Sequence, residues 1–282
     1  MDIYNMCGIA GIISLNNLMV SKERIIKMIN SIAHRGPDGE GCWINEDKNV
    51  GFGHRRLAII DLSENGAQPM ALLPGVSPSG STGQRYTITY NGEIYNYIEI
   101  KEELYKKGYR FRSQSDTEII LAAYDYWNKD CLQHFDGMFS FAIWDDKEKN
   151  LFAARDRFGE KPFYYYEDQE QFVFGSEMKA LWTGGIEKKT DEKMLLNYIT
   201  LGHVQNANDK EQTFFENIYS LPPAHYLNIN FSHFRAQVQT YWDIDKEKSI
   251  HISTTAAISK FTDLFTKSVS KRLQRCNGGY QP

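Results

Sequence analysis

The first apolar run of the chain is Cys7-Gly8-Ile9-Ala10-Gly11-Ile12-Ile13, a cysteine followed by glycines and isoleucines. Its isoleucine-rich part is typical of a strand that is buried on both faces, and the glycines leave the backbone beside the thiol uncrowded. A cysteine in such a strand is usually an inert core residue. The alternative is an N-terminal nucleophile whose own α-amine serves as the general base. Because residues 1–6 precede Cys7, that alternative requires their removal.

Composition and charge narrow the class of protein. The 282 residues are 41% hydrophobic, enough for one large domain or two smaller ones. A formal charge of −4 favours a small, non-basic partner over nucleic acid. No apolar run approaches the roughly 20 residues of a membrane span, and residues 1–20 lack a signal-peptide pattern, so we expect no membrane partner and a cytoplasmic protein. The cysteines contain no C-x-x-C pair, which argues against a zinc site or a disulfide scaffold; they are Cys7, Cys42, Cys131 and Cys276.

Hydrophobic spacing and turn residues predict alternating helices and short strands. Helices are predicted over 21–33, 96–107, 115–127, 176–182, 190–201 and 253–275, with Ser21, Asn96 and Ser115 as caps. Strands are predicted over 7–13, 41–44, 50–61, 85–90, 137–144, 151–154, 163–166, 172–174, 226–229 and 238–242. The hairpin-like spacing of these strands favours layered antiparallel sheets. The Gly/Ser/Pro stretch 74–83 is predicted to be a surface loop.

Three polar features stand out in the sequence, and the last two admit two interpretations each. The cationic stretch His54-Arg55-Arg56 lies in an apolar strand, so we expect one of these side chains to meet a carboxylate. The sequence Asn91-Gly92 favours a hairpin turn, or alternatively an oxyanion hole built from an amide side chain and an unobstructed N–H. The carboxylate of Asp116 is favoured at a helix N-terminus in any case, or it contacts a ligand.

Six motifs in order carry a family resemblance. They are Cys7-Gly8, His34-Arg35-Gly36-Pro37-Asp38, Arg56-Leu57, Asn91-Gly92-Glu93-Ile94-Tyr95-Asn96, Ser115-Asp116 and Ser176-Glu177-Met178-Lys179-Ala180-Leu181. In these motifs the chain resembles the class II glutamine amidotransferases, and most of all the N-terminal glutaminase domain of glutamine-hydrolysing asparagine synthetases. The resemblance extends from Cys7 to about residue 245. The resemblance implies an α+β fold, the four-layer αββα sandwich of N-terminal-nucleophile hydrolases with two antiparallel sheets.

The same resemblance implies a mechanism and its residues. The thiolate of Cys7 would attack the carboxamide of glutamine, forming a thioester as ammonia leaves. Asn91 and Gly92 would hold the oxyanion. Arg56 would bind the substrate α-carboxylate, and Glu93 with Asp116 its α-ammonium group. The resemblance implies no cofactor and no metal in this chain; ATP and magnesium would belong to a separate synthetase domain, which activates aspartate.

The resemblance also divides the chain. Residues 1–6 would be an extension or leader, 7–245 the glutaminase domain and 246–282 the beginning of a synthetase domain. Translation from Met6 or cleavage of the leader would free Cys7. The ATP-loop pattern S-G-G-x-D-S is missing from this sequence, so we expect it to hydrolyse glutamine at most. The apolar face of the last helix suggests a homodimer or docking to a synthetase domain. Two other functions stay open: a non-catalytic glutamine-binding or docking domain, and an amidotransferase for another acceptor, such as a sugar phosphate or phosphoribosyl pyrophosphate.

Overall fold

A computed structural model describes residues 6–78 and 84–275 of the chain. Part of the loop predicted over 74–83, namely 79–83, and also Cys276 lie outside these residues. In chain order the helices are α1 Lys22–Ser31, α2 Tyr97–Lys106, α3 Asp116–Trp127, α4 Cys131–His134, α5 Met178–Thr183, α6 Glu192–Leu201 and α7 Thr254–Arg275. The strands are β1 Gly8–Ser14, β2 Gly39–Ile44, β3 Val50–Arg56, β4 Met70–Ala71, β5 Tyr86–Ile94, β6 Gly137–Asp145, β7 Asn150–Arg155, β8 Tyr164–Glu167, β9 Gln171–Gly175, β10 Tyr219–Ser220, β11 His225–Asn230 and β12 His233–Thr240.

The strands form two antiparallel sheets that pack face to face. One sheet has the order β10-β8-β9-β1-β3-β2, and the other β12-β11-β7-β6-β5-β4. Between them lies a core of large apolar side chains from both sheets, among them Phe52, Trp144 and Phe174. Because β1 lies in the middle of its sheet, every one of its residues is buried, as the apolar run from Cys7 predicts.

A helical layer covers the outer face of each sheet. Helices α1 and α5 bury Ile25, Met28 and Leu181 against the first sheet. Helices α2 and α3 bury Leu104 and Ile120 against the second. The predicted α+β sandwich of four layers, αββα, is therefore confirmed. Within the described residues, none of the helices combines the length and the apolar character that crossing a bilayer requires.

Two capping predictions have different outcomes. The hydroxyl of Ser21 accepts a hydrogen bond from the N–H of Arg24 (3.2 Å) and caps α1, as predicted. The side chain of Asn96 does not cap α2. Instead its amide group donates to the carbonyl of His134 (2.8 Å) and accepts from the N–H of Asp136 (2.9 Å). The prediction that Asn96 caps α2 is wrong, because the chain before β6 provides both an acceptor and a donor for its side-chain amide.

Two strand predictions need correction. Strand β3 ends at Arg56, whereas the apolar pattern predicts a strand to Asp61; the chain after Arg56 turns away from the sheet. Asn91 and Gly92 do not form a hairpin turn. They continue β5 and pair with Ser140 and Phe139 of β6. The local preference of Asn-Gly for a turn is overridden because β6 supplies a pairing partner along the whole of β5.

Candidate active site

One pocket brings together every residue that the sequence predicts for the site. It lies where the beginning of β1, the end of β3, the second half of β5 and the N-terminus of α3 meet. The two sheets are joined beside it: Nε2 of His54 in β3 lies 3.0 Å from the carbonyl oxygen of Tyr90 in β5. Of the residues that line the pocket, the predicted ones are Cys7, Arg56, Asn91, Gly92, Glu93 and Asp116.

Cys7 lies immediately before β1 and is held by contacts on both sides. Its sulfur accepts a hydrogen bond from the N–H of Leu57 (3.3 Å). Its carbonyl accepts one from Nε of Arg35 (3.0 Å), a residue of the motif His34–Asp38. Burial raises the pKa of the Cys7 thiol above its ordinary value, and Asp116 adds to this, whereas Leu57, Lys161 and Arg56 act in the opposite direction. Burial is the dominant influence on the ionisation of this thiol, and the hydrogen bond and the neighbouring charges modify it.

Ser176 aligns the beginning of β1 with the neighbouring strand. The hydroxyl of Ser176 accepts from the N–H of Ile9 (3.0 Å), and the N–H of Ser176 donates to the carbonyl of Ile9 (2.9 Å). Next to it, the carboxylate of Glu177 accepts from Arg35 (3.1 Å). The Ser176-Glu177 part of the last motif therefore acts on the backbone that carries Cys7, and neither residue lines the Cys7 pocket.

Asn91 and Gly92 both line the pocket. Asn91 is 1% exposed, and its Nδ2 has no hydrogen-bond partner among the described residues. A buried amide without a partner is unfavourable unless a ligand completes it. At Gly92, a Cβ would lie 2.7 Å from Cα of Phe139 and still closer to the carbonyl oxygen of Met138. Only glycine fits this position, because the backbone of β6 occupies the space that a side chain would need.

Asp116 is a buried carboxylate at the beginning of α3. Its Oδ2 accepts from the hydroxyl of Tyr90 (2.7 Å) and from the N–H of Ile94 (3.0 Å). The hydroxyl of Ser115, not Asp116, caps the helix by accepting from the N–H of Thr117 (3.2 Å). Burial raises the pKa of Asp116 to about 6, although these hydrogen bonds lower it. Burying an ionisable carboxylate costs free energy, and a carboxylate whose pKa is perturbed in this way is typical of a functional site.

The two arginines at the end of β3 have different environments. Successive strand residues point to opposite faces of a sheet. Nη1 of Arg55 forms a salt bridge of 2.7 Å with Glu40, which confirms that one residue of the cationic stretch meets a carboxylate. Arg56 lines the pocket, and its guanidinium donates to the carbonyls of Ser63 (2.9 Å) and Asp61. Those neutral acceptors leave the charge of Arg56 without a salt-bridge partner among the described residues.

Sequence reasoning missed three pocket residues. Gln68 accepts from the N–H of Tyr90 (2.7 Å) through its side-chain oxygen and so holds β5 in place. Tyr90 supports Asp116, as described above. Lys161 lines the pocket from the connection between β7 and β8 and is 5% exposed. Lysine is almost never fully buried, so the position of Lys161 between Glu160 and Pro162 did not indicate that its side chain enters a pocket.

Residues 6–242 match the family described as "Glutamine amidotransferase domain", and the chain belongs to that family. Among curated relatives it is similar to asparagine synthetase (glutamine-hydrolysing) 3 of Bacillus subtilis, with 37% identity over 270 residues, 95% of this chain and 41% of the relative. It is also similar to a putative asparagine synthetase (glutamine-hydrolysing) 2 of Methanocaldococcus jannaschii, with 37% identity over 87% of this chain and 48% of the relative. The chain thus spans less than half the length of these two relatives.

Solved structures share the fold. The glutamine phosphoribosylpyrophosphate amidotransferase of B. subtilis matches with a TM-score of 0.59 and 18% identity, over 82% of this chain and 49% of that one. At that level of identity the likeness shows the fold alone. The predicted family and fold are therefore confirmed: the chain is a glutamine amidotransferase domain of the type found in the N-terminal part of asparagine synthetases.

Proposed function

We propose that this chain hydrolyses glutamine to glutamate and ammonia at the Cys7 pocket. One observation carries the proposal: a thiol, an unpartnered buried amide, a glycine, an arginine and two acidic residues face one pocket, although they come from distant parts of the sequence. This set provides a nucleophile, donors for an oxyanion, and groups of both charges for an α-amino acid.

Glutamine would be held at its two charged ends. The guanidinium of Arg56 would bind the α-carboxylate, because its present acceptors are neutral carbonyl oxygens. Asp116 and Glu93 would bind the α-ammonium group. The ammonium would also favour the ionised form of Asp116, whose pKa burial raises.

The reaction would proceed in two steps through an acyl-enzyme. The α-amine of Cys7 takes the proton of the thiol, and the resulting thiolate attacks the side-chain carbonyl carbon of glutamine. The negative charge that develops on the carbonyl oxygen is stabilised by Nδ2 of Asn91 and the N–H of Gly92. The α-amine of Cys7 passes a proton to the leaving nitrogen, and ammonia departs as the C–N bond breaks. Water then attacks the γ-glutamyl thioester, which releases glutamate and restores the thiol.

This chemistry requires that Cys7 be the first residue. In the present form Met6 lines the pocket, and Nζ of Lys161 lies 2.9 Å from its sulfur. That observation favours a second candidate for the uncleaved form: a domain that binds glutamine at best and does not hydrolyse it.

The division of the chain into domains and the use of the ammonia extend the same proposal. We propose a leader over 1–6, a glutaminase domain over 7–245, and the beginning of a synthetase domain over 246–282, to which the glutaminase domain would dock. The ammonia would serve asparagine synthesis, with ATP and magnesium bound by the synthetase domain and no cofactor in the glutaminase domain. A catalytic thiol must stay reduced, which favours the cytoplasm.

The test is the intact mass of the expressed chain before and after incubation with an electrophilic glutamine analogue, together with glutamate release. A mass that begins at Cys7, one covalent adduct and turnover that disappears in Cys7→Ala are the expected results. A chain that begins at Cys7 but releases glutamate no faster than Cys7→Ala would overturn the proposal. A mass that begins at Met1, with no adduct, would support the binding-only form.

A further inference from the structure

Lys161 is a buried cation that the mechanism above does not use. Its backbone is fixed in the connection between β7 and β8: its N–H donates to Asp156 (3.0 Å), and its carbonyl accepts from Nε of Arg155 (2.7 Å). With the backbone anchored on this side, the side chain reaches the pocket that also contains Cys7. The position of the ammonium is therefore set by the fold.

The Lys161 ammonium forms no direct contact with an anion in the described part of the chain, although the charges of Glu160 and Asp156 act on it from a distance. Within residues 6–78 and 84–275, no salt bridge involves Lys161, and its only side-chain hydrogen bond is to the Met6 sulfur. A thioether is a weak acceptor. The carboxylate of Asp156 lies close in sequence but accepts from four backbone N–H groups. Burying an ammonium without an anion destabilises a fold, so this lysine is costly to retain unless an anion forms beside it.

The other charged groups around Cys7 already have defined contacts. Arg35 binds the Cys7 carbonyl and Glu177. Arg56 donates to two carbonyls at the end where the substrate carboxylate would bind. Asp116 and Glu93 also line the pocket and bring negative charge to it. Lys161 is thus the cation that remains available to the sulfur.

We propose that the Lys161 ammonium stabilises the ionised sulfur of Cys7 and so acts as a positioning residue for the nucleophile. Removal of residues 1–6 takes away the Met6 sulfur, and the ammonium then faces the thiolate. The electrostatic interactions agree with this role. Lys161 lowers the pKa of the Cys7 thiol, whereas burial and Arg35 lower the pKa of Lys161 and Glu160, Cys7 and Asp156 raise it. Its contribution to turnover rests on the proposed glutaminase activity, whereas its effect on the thiol does not.

The test measures the rate at which iodoacetamide alkylates Cys7 as a function of pH in protein that begins at Cys7, with peptide mass spectrometry to separate Cys7 from the other cysteines. No glutamine is needed, so failure here is distinguishable from failure of the glutaminase proposal. The variants are Lys161→Met, which is neutral and similar in length, and Lys161→Arg, which keeps the charge. Lys147→Met is the control, because Lys147 is exposed in the turn between β6 and β7.

We expect the midpoint of the alkylation profile to rise by about one pH unit in Lys161→Met and to stay at the wild-type value in Lys161→Arg and Lys147→Met. An unchanged midpoint in a folded Lys161→Met protein would overturn the inference. So would an equal rise in Lys161→Arg, because the effect would then come from shape and not charge. If Lys161→Met does not fold, Lys161→Gln takes its place in the same comparison.

Discussion

The hydroxyl of Tyr90 donates a 2.7 Å hydrogen bond to the carboxylate of Asp116, which joins the middle of β5 to the beginning of α3. The N–H of Ile94 donates to the same oxygen. These contacts fix the carboxylate at the wall of the pocket, but burial still raises its pKa to about 6. The folded protein therefore retains a carboxylate that ionises less readily than it would in the unfolded chain.

Substrate capture should depend on that ionisation. Protonated Asp116 cannot attract an ammonium group, so kcat/KM for glutamine should fall as the pH decreases through about 6, the pKa of Asp116 in the free protein. The measurement is a pH profile of kcat/KM between pH 5 and pH 8. If Asp116 binds the ammonium, Asp116→Asn should have low kcat/KM throughout and no such acidic limb. An identical limb in the variant would assign it to another group.

Asp116→Asn should stabilise the fold while it weakens glutamine binding. The folded-state pKa of Asp116 is raised above its ordinary 3.8, so the carboxylate's contribution to stability becomes less favourable as the pH rises from about 4 to about 6. Removing the charge should raise the free energy of unfolding at pH 7 by about 1 to 2 kcal/mol, since part of the gain is offset by altered hydrogen bonding. Denaturant unfolding at pH 7 measures this.

Asp191→Asn is the matched control for that experiment, because Asp191 also begins a helix. Its side chain accepts from the N–H of Met194 (2.9 Å). Desolvation raises the pKa of Asp191, but this contact and a hydrogen bond from Gln212 outweigh it and lower that pKa. Its replacement should leave stability unchanged or reduce it. Equal stabilisation by both substitutions would mean that removing any acidic charge stabilises this protein.

Arg56→Ala should weaken glutamine binding, whereas Arg55→Ala should not. Removing a charged partner of a buried carboxylate costs about 2 to 5 kcal/mol of binding free energy. Arg55 is the adjacent control, because it binds Glu40 outside the pocket. Calorimetric titration of glutamine into a Cys7→Ala background separates binding from turnover. Normal affinity in Arg56→Ala would show that another group binds the carboxylate.

Asn91→Ala should reduce kcat by about 10² to 10³-fold with little change in KM, because an oxyanion-hole donor acts mainly in the transition state. Among the described residues the Nδ2 group has no hydrogen-bond partner, so its loss should not lower the melting temperature by breaking a hydrogen bond. Steady-state kinetics and thermal unfolding measure the two effects. A large rise in KM with unchanged kcat would indicate a role in substrate binding instead.

Local patterns predicted most of the elements, and the errors have physical causes. Apolar periodicity identified β1 and α1, because β1 is buried on both faces and α1 is buried on one face. The same approach extended β3 to Asp61, since the apolar residues after Arg56 resemble a strand although they line the pocket. It also favoured a turn at Asn91-Gly92, where pairing with a distant strand decides the conformation.

By itself, the sequence determined the family and the residue types of the site, because the six motifs and their order are properties of the chain alone. Only the tertiary structure decided which charges meet. Arg55 and Arg56 are neighbours in sequence, but the alternation of side chains along β3 directs one to Glu40 and the other into the pocket. Lys161 reaches the same pocket because the β7–β8 connection lies beside the beginning of β1, a proximity that local sequence does not encode.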